Sequence, residues 1–81
     1  MFWLKVINDN KIIKNCILSL NNFYISSVYD YLNNACYKLD ICTPIILNKH
    51  LDNLKNFNQT VFMPDDFIEK VSFDKMAVEI Y

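Results

Sequence analysis

The chain contains no glycine, and this absence limits the turns and sites that it can form. Glycine normally provides the close backbone approach of phosphate-binding loops and the positive φ angles of tight turns. A P-loop, a dinucleotide-binding turn and a nucleophile elbow are therefore excluded from these residues. Asn and Asp tolerate positive φ better than other non-glycine residues, so residues 8–11 (Asn-Asp-Asn-Lys) are still expected to close a β-hairpin.

Size and composition predict a globular chain that forms one compact domain over residues 1–81. Of the 81 residues, 53% are apolar and 21% are charged, which is unlike a disordered chain. A chain of this size buries only about 60–65% of its unfolded surface, so we expect a small core. Asn, Ile, Lys, Phe and Tyr make up 40 of the residues, which is typical of a low-GC genome.

Hydrophobic periodicity predicts an α+β fold with the element order β-β-α-α-β-β. In this fold a small antiparallel sheet of three or four strands carries two helices on one face. The expected strands are residues 2–7, 12–18, 60–63 and a last extended stretch, whose two parts, 71–73 and 76–81, are joined by residues 74–75. The expected helices are 23–39 and 44–57, with one helical turn at 64–69. Residues 45–47 fit either the second helix or a short strand. We expect the first and last strands to pair with each other.

The two predicted helices differ in how clearly the sequence marks them. The first has an apolar stripe at helical spacing, and residues 19–22 contain good N-cap candidates. The stripe consists of Ile25, Val28, Tyr29, Leu32, Ala35, Cys36 and Leu39. Thr43 and Pro44 suggest an N-cap and a first helical position for the second helix. The positions on its inner face would be Leu47, Leu51, Leu54 and either Phe57 or Asn58.

The charge pattern disfavours nucleic acid as a direct partner. The net charge is −1, the eight cations are all lysine, and they are scattered along the chain, whereas nucleic-acid binders cluster their cations and use arginine. Acidic residues gather near the end of the chain, with Asp65, Asp66 and Glu69 close together. They are expected to form a solvated acidic face or a contact surface for a basic protein. A calcium loop would alternate its ligands and contain glycine, so we expect no cation there.

Cysteine and histidine usage predicts no catalytic, cofactor or metal site. Cys16, Cys36 and Cys42 fit no disulfide framework, which favours a reduced, cytoplasmic protein. No apolar stretch approaches the ~18 residues of a membrane span, and the N-terminus lacks the pattern of a signal peptide. The only histidine, His50, is expected to face solvent rather than pair with Cys42 as a nucleophile. Cys36, Cys42 and His50 have the wrong number and spacing for zinc, and the chain is predicted not to be an enzyme.

Aromatic residues are the remaining signal, because twelve Phe, Trp and Tyr side chains are too many for one small core. Codon bias explains such a surplus, and so does a protein interface, where aromatics are enriched. Trp3, Tyr24, Tyr31 and Tyr37 lie off the predicted core faces. Together with Asp65, Asp66 and Glu69 they form the predicted partner-binding set.

These observations predict a small non-enzymatic protein-binding module, a regulator or inhibitor that acts by surface occupancy. The chain resembles the small regulators and inhibitors carried by phages and mobile elements, including anti-CRISPR proteins. This resemblance rests on size and composition and on no matched residues. That resemblance implies an inhibitor of a host defence nuclease as one alternative. Another alternative is a homo-oligomer, for example a homodimer, with a structural or ligand-sequestering role. A third is a small enzyme that uses Cys42 or the carboxylates.

Overall fold

A computed structural model of the chain describes residues 1–21 and 24–81. It contains strands β1 (Phe2–Asn8), β2 (Lys11–Leu18), β3 (Gln59–Phe62) and β4 (Lys75–Ile80). Its helices are α1 (Val28–Lys38) and α2 (Asn48–Phe57), and two short 3-10 turns cover Ile25–Ser27 and Pro64–Asp66. The predicted α+β class and element order are therefore confirmed.

The four strands form one antiparallel sheet in the order β2-β1-β4-β3. β1 lies in the middle and pairs with both β2 and β4, so the predicted pairing of the first and last strands is confirmed. β2 and β3 form the two edges, and a register shift at Val6/Ile7 marks a bulge between β1 and β2. The predicted strand at 71–73 is wrong: this segment is irregular and joins the 3-10 turn at Pro64–Asp66 to β4.

Positive φ angles fall only on Asp and Asn within the described ranges, as expected for a glycine-free chain. Asp9 and Asn10 have φ angles of 53° and 62° and form the β1–β2 hairpin turn. Asp40, just after α1, has a φ of 56°, and Asn58, the C-cap of α2, has a φ of 59°. The short polar side chains of Asp and Asn tolerate this left-handed conformation. The predicted hairpin turn at 8–11 is confirmed.

The core lies between the two helices and one face of the sheet. Period-2 alternation along β1 and β4 places every second side chain on this face, including Phe2, Leu4, Met76 and Val78. From α1 the buried residues are Val28, Leu32, Ala35 and Cys36, which form most of the predicted stripe. Leu54 of α2 joins the same cluster.

Both helices begin later than predicted. The N-cap candidate Asn22 and the predicted helix start at Phe23 lie outside the described residues. Residues Ile25–Ser27 form a 3-10 turn before α1, and both Ile25 and Tyr29 are exposed rather than part of the buried stripe. The second helix begins at Asn48 and not at Pro44, and residues 45–47 are neither helix nor strand. Leu47, which precedes α2, and Phe57, its last residue, are both exposed and do not form a core face.

Candidate functional site

An apolar groove runs between the start of α1, the irregular segment at residues 41–47 and Ile68. It encloses about 540 Å³. The 3-10 turn and the first turn of α1 form one wall, and the segment before α2 forms the other. The apolar side chains that line it are Ile25, Val28, Tyr29, Pro44, Ile45, Ile46, Leu51 and Ile68. Four of them (Ile25, Tyr29, Ile45 and Ile68) are exposed large apolar or aromatic residues, and Ile68 is 87% exposed.

Past Ile68 the groove adjoins a second depression of about 450 Å³ that contains charged side chains. Ile68 lines both cavities, and the second also contains Asp65, Glu69 and Lys70. All three charged side chains are exposed. Asp65 and Glu69 therefore give this end of the groove an excess of one negative charge over Lys70.

Asp66 is not part of this acidic surface, because its side chain is buried. Its Oδ2 accepts a hydrogen bond from the Met63 backbone N–H over 2.9 Å, which caps the 3-10 turn at Pro64–Asp66. The expectation that Asp66 presents an exposed carboxylate is therefore wrong. Pro64 at the first position and an acceptor three residues after Met63 are the sequence pattern of this cap.

His50 is also buried, with 0% of its surface exposed, so the prediction of a solvent-facing histidine is wrong. Its Nδ1 accepts a hydrogen bond from the Leu47 backbone N–H over 2.9 Å at the start of α2. The imidazole lies against the Phe62 ring, with 4.2 Å between ring centroids. Leu47 and His50 are not the residue types of a capping box, so the sequence carries no signal for this cap.

The two capping side chains meet inside the protein. His50 Nε2 lies 3.3 Å from Asp66 Oδ2, although its N–H is not aligned for a hydrogen bond and finds no other partner among the described residues. Burial lowers the pKa of His50 below its usual value, and this effect outweighs the nearby Asp66 carboxylate, which acts in the opposite direction. The imidazole is therefore neutral in the folded protein at neutral pH.

The predicted aromatic set divides between different surfaces. Tyr24 is exposed and directly precedes Ile25 at the groove. Tyr37 is exposed on α1 but does not line the groove. Tyr31 is half-buried and stacks on Phe2 with 5.7 Å between ring centroids, so it also contributes to packing. The structure therefore brings Tyr24, Asp65 and Glu69 near one groove and leaves Tyr31 and Tyr37 outside it.

Trp3 lies on the sheet face opposite the helices and is half-buried. Its Nε1–H donates to Asn15 Oδ1 over 3.3 Å, and Lys5 Nζ lies 4.2 Å from the ring centroid. Lys5 also pairs with Glu79 across 3.8 Å, and Tyr81 contacts Trp3 edge-on. Strand register places Ile17 and Ala77 on this same face, so it is an apolar surface crossed by one ion pair.

The cysteines do not form a reactive cluster in the described ranges. Cys36 is fully buried in α1, and burial raises the pKa of its thiol to about 12. Cys16 and Cys42 are half-buried and free. Between residues 1–21 and 24–81, no three His, Cys, Asp or Glu side chains are placed to hold a metal ion. Over the same ranges, none of the helices has the length and apolar character needed to cross a membrane.

Comparisons with protein-family models, with curated proteins and with solved structures gave no match to this chain. The functional interpretation therefore depends on the residues and surfaces described above.

Proposed function

We propose that this chain is a protein-binding module that acts by occupying a surface of another protein, with the groove beside α1 as its contact site. The observation that carries the proposal is the exposure of Ile25, Tyr29, Ile45 and Ile68 along one groove. Scattered exposed apolar residues are normal on a protein surface, but a contiguous group around a concavity is typical of an interaction site.

The walls of the groove favour an apolar segment of the partner as its occupant. Aromatic and aliphatic side chains make up most of the lining, and the charged residues lie only beyond Ile68. Interfaces commonly have this arrangement, in which an apolar centre excludes water and a polar rim surrounds it. Ile68 lies where the apolar and acidic parts join and is available to insert between partner side chains.

The acidic end of the groove indicates a second chemical feature of the partner. Asp65 and Glu69 are exposed there and outnumber Lys70. A lysine or arginine next to the apolar segment of the partner would meet these carboxylates at the rim. Such rim charges mainly speed association and select among partners. We therefore infer a partner with an apolar segment that has a basic residue at one end.

Binding rather than catalysis is supported by the positions of the titratable groups. His50 and Asp66 are close together but buried, so a substrate in the groove cannot contact them. Cys36 is equally inaccessible and its raised pKa keeps the thiol protonated. The groove itself presents apolar side chains and no nucleophile with an adjacent base, which an acyl- or phosphoryl-transfer site would need.

We propose that the module is a regulator or inhibitor, because a protein that occupies its partner's surface prevents that surface from binding anything else. The three free cysteines favour a reducing compartment such as the cytoplasm. The small size and the codon-biased composition support the more specific hypothesis of an inhibitor of a host defence nuclease carried by a phage or mobile element.

A second candidate function is self-association through the uncovered face of the sheet. Trp3, Ile17 and Ala77 lie on this face. Four strands about 4.8 Å apart and seven residues of about 3.3 Å each give a flat area of roughly 440 Å². A stable interface usually buries about 800 Å² per partner, so the sheet face alone supports only a weak dimer. The groove is preferred as the primary site because its exposed apolar residues surround a concavity.

A peptide-display selection tests the groove directly. The immobilised full chain is exposed to a library of random 12-residue peptides, and bound peptides are sequenced. We expect enrichment of peptides that combine two or more large apolar residues with a terminal Lys or Arg. The selected peptides are then tested against Ile68→Asp, which puts a charge at the centre of the site.

Tyr37→Asp is the matched control, because Tyr37 is 85% exposed and does not line the groove. The proposal predicts that peptides bind Tyr37→Asp as well as the unmodified chain and lose binding to Ile68→Asp. Enrichment no greater than on an unrelated folded protein would overturn it. Peptides that bind Ile68→Asp and the unmodified chain equally well would also overturn it.

A further inference from the structure

The buried contact between His50 and Asp66 joins two segments that are separate in the sequence. His50 is held to the start of α2 by the Leu47 N–H, and Asp66 is held to the 3-10 turn by the Met63 N–H. A backbone hydrogen bond from the Ile45 N–H to the Asp66 carbonyl oxygen, 2.7 Å long, runs beside them. We call His50, Asp66 and these three hydrogen bonds the latch.

We propose that the latch is sensitive to protons: it holds the segment at residues 41–47 closed when His50 is neutral, and protonation of His50 releases that segment. The proposal extends the proposed function to its regulation, since Ile45 and Ile46 line the groove. The latch itself, however, can be tested without any partner.

The hydrogen-bond geometry explains why a second proton cannot be added without opening. Nδ1 accepts the Leu47 N–H, so its lone pair points at a donor and the ring proton of the neutral form lies on Nε2. Protonation converts Nδ1 into a donor that faces another donor at 2.9 Å. The bond from the Leu47 N–H is then lost, and the segment at 41–47 is held to α2 only through the Leu47 carbonyl oxygen, which accepts the His50 and Leu51 N–H groups.

The charges around His50 act in opposite directions. Asp66, on the 3-10 turn, favours the imidazolium, and Lys49, on the same helix as His50, disfavours it. Phe62 of β3 and the backbone of Leu47 contribute no titratable group. Since the Nε2–H is not aligned with Asp66, the carboxylate compensates only partly for the loss of hydration. Burial is therefore the larger effect and keeps the pKa of His50 lowered.

The direction of the pH dependence follows from these observations. A histidine whose pKa is lowered by folding binds its proton more readily in the opened state than in the closed state. The closed state is fully favoured above about pH 6.5, the ordinary pKa of histidine, and becomes less favoured as the pH falls below that value. Because opening takes up one proton, the opening equilibrium becomes about tenfold more favourable for each unit by which the pH falls in this range.

Amide hydrogen exchange measured between pH 7.5 and 5, corrected for intrinsic exchange rates, tests the proposal. In the full chain, protection of the Leu47 and Ile45 amides should fall by up to about tenfold per pH unit below pH 6.5. The Ile80 amide of β4, which donates to the carbonyl oxygen of Asn58, is the internal control and should keep its protection. Protection of Leu47 that does not change over this range would overturn the proposal.

His50→Asn is the matched variant, because asparagine can accept the Leu47 N–H but does not titrate. We expect its Leu47 protection to be independent of pH. The same pH dependence in His50→Asn as in the unmodified chain would overturn the proposal. If this variant does not fold, the NMR titration of the His50 ring in the unmodified chain decides whether protonation of His50 opens the latch. A transition near pH 6.5 with no loss of Leu47 protection rejects the latch.

None of these measurements involves a partner. A pH-insensitive latch with intact peptide binding would reject only this inference, whereas a working latch with no peptide binding would reject only the proposed function.

Discussion

Phe67→Ala should remove a large part of the free energy of unfolding, because Phe67 anchors the segment that carries Ile68. The Phe67 side chain is only 7% exposed, and its ring packs edge-on against Phe73 with 5.4 Å between centroids. Replacing a buried Phe by Ala typically costs about 3–5 kcal/mol, which includes the cavity that remains. The lost aromatic pair accounts for about 0.5–1.5 kcal/mol of its own.

This loss is large compared with the expected stability of the whole chain. At about 0.05–0.15 kcal/mol per residue, 81 residues give a free energy of unfolding of roughly 4–12 kcal/mol. Phe67→Ala is therefore expected to leave a chain that is marginally folded at room temperature. Ile68→Ala, one residue further on, is the matched control and should change stability by less than about 0.5 kcal/mol, because Ile68 is exposed.

Urea unfolding, followed by the fluorescence of the only tryptophan, Trp3, measures both variants. With a denaturant slope of about 1–3 kcal/mol per M, a loss of about 3–5 kcal/mol should lower the Phe67→Ala midpoint by roughly 1–5 M. A midpoint within about 0.3 M of the unmodified chain would contradict the burial of Phe67. An equally large shift for Ile68→Ala would contradict the outward position of Ile68.

Two further predictions concern other parts of the molecule. The Cys36 thiol should resist alkylation at pH 8 until the chain is unfolded, because it is buried and its pKa is raised to about 12. Peptide mapping by mass spectrometry measures the labelling. Labelling of Cys36 as fast as that of Cys42 would contradict this prediction. If the uncovered sheet face forms a dimer, size-exclusion chromatography with light scattering should show a dimer at high micromolar concentration that Ile17→Lys abolishes. A chain that stays monomeric throughout would remove self-association as a candidate.

Sequence patterns predicted the sheet well, because strand alternation and turn chemistry are local properties. The alternation in β4 places Met76 and Val78 on the buried face, and Asp9 and Asn10 adopt the positive φ angles of the hairpin turn. These features depend on neighbouring residues only, so they can be recognised without knowing the rest of the fold.

The helix starts were predicted less well, because tertiary contacts decide them. Pro44 is compatible with a first helical position, yet the Ile45 N–H donates to the Asp66 carbonyl oxygen instead of starting a helix. This bond ties residues 41–47 to a segment about twenty residues further along the chain. Local propensity contains no information about such a contact.

The candidate site could be predicted only in part. Tyr24, Asp65 and Glu69 were selected from the sequence and lie at or next to the groove, whereas Ile68, Ile45 and Tyr29 were not selected as partner-binding residues. An exposed isoleucine has the same sequence signal as a buried one. The burial of His50 was missed for a related reason, since its partners Phe62 and Asp66 come from elements later in the chain.

The most direct test of the proposed function is the affinity of one display-selected peptide, measured by isothermal titration calorimetry. The proposal predicts that Ile68→Asp weakens binding by at least about 30-fold, equivalent to a hot-spot loss of about 2 kcal/mol. Tyr37→Asp should bind with unchanged affinity, and circular dichroism should show both variants folded. Equal affinity of Ile68→Asp and the unmodified chain for the peptide would contradict the assignment of the groove as the binding site.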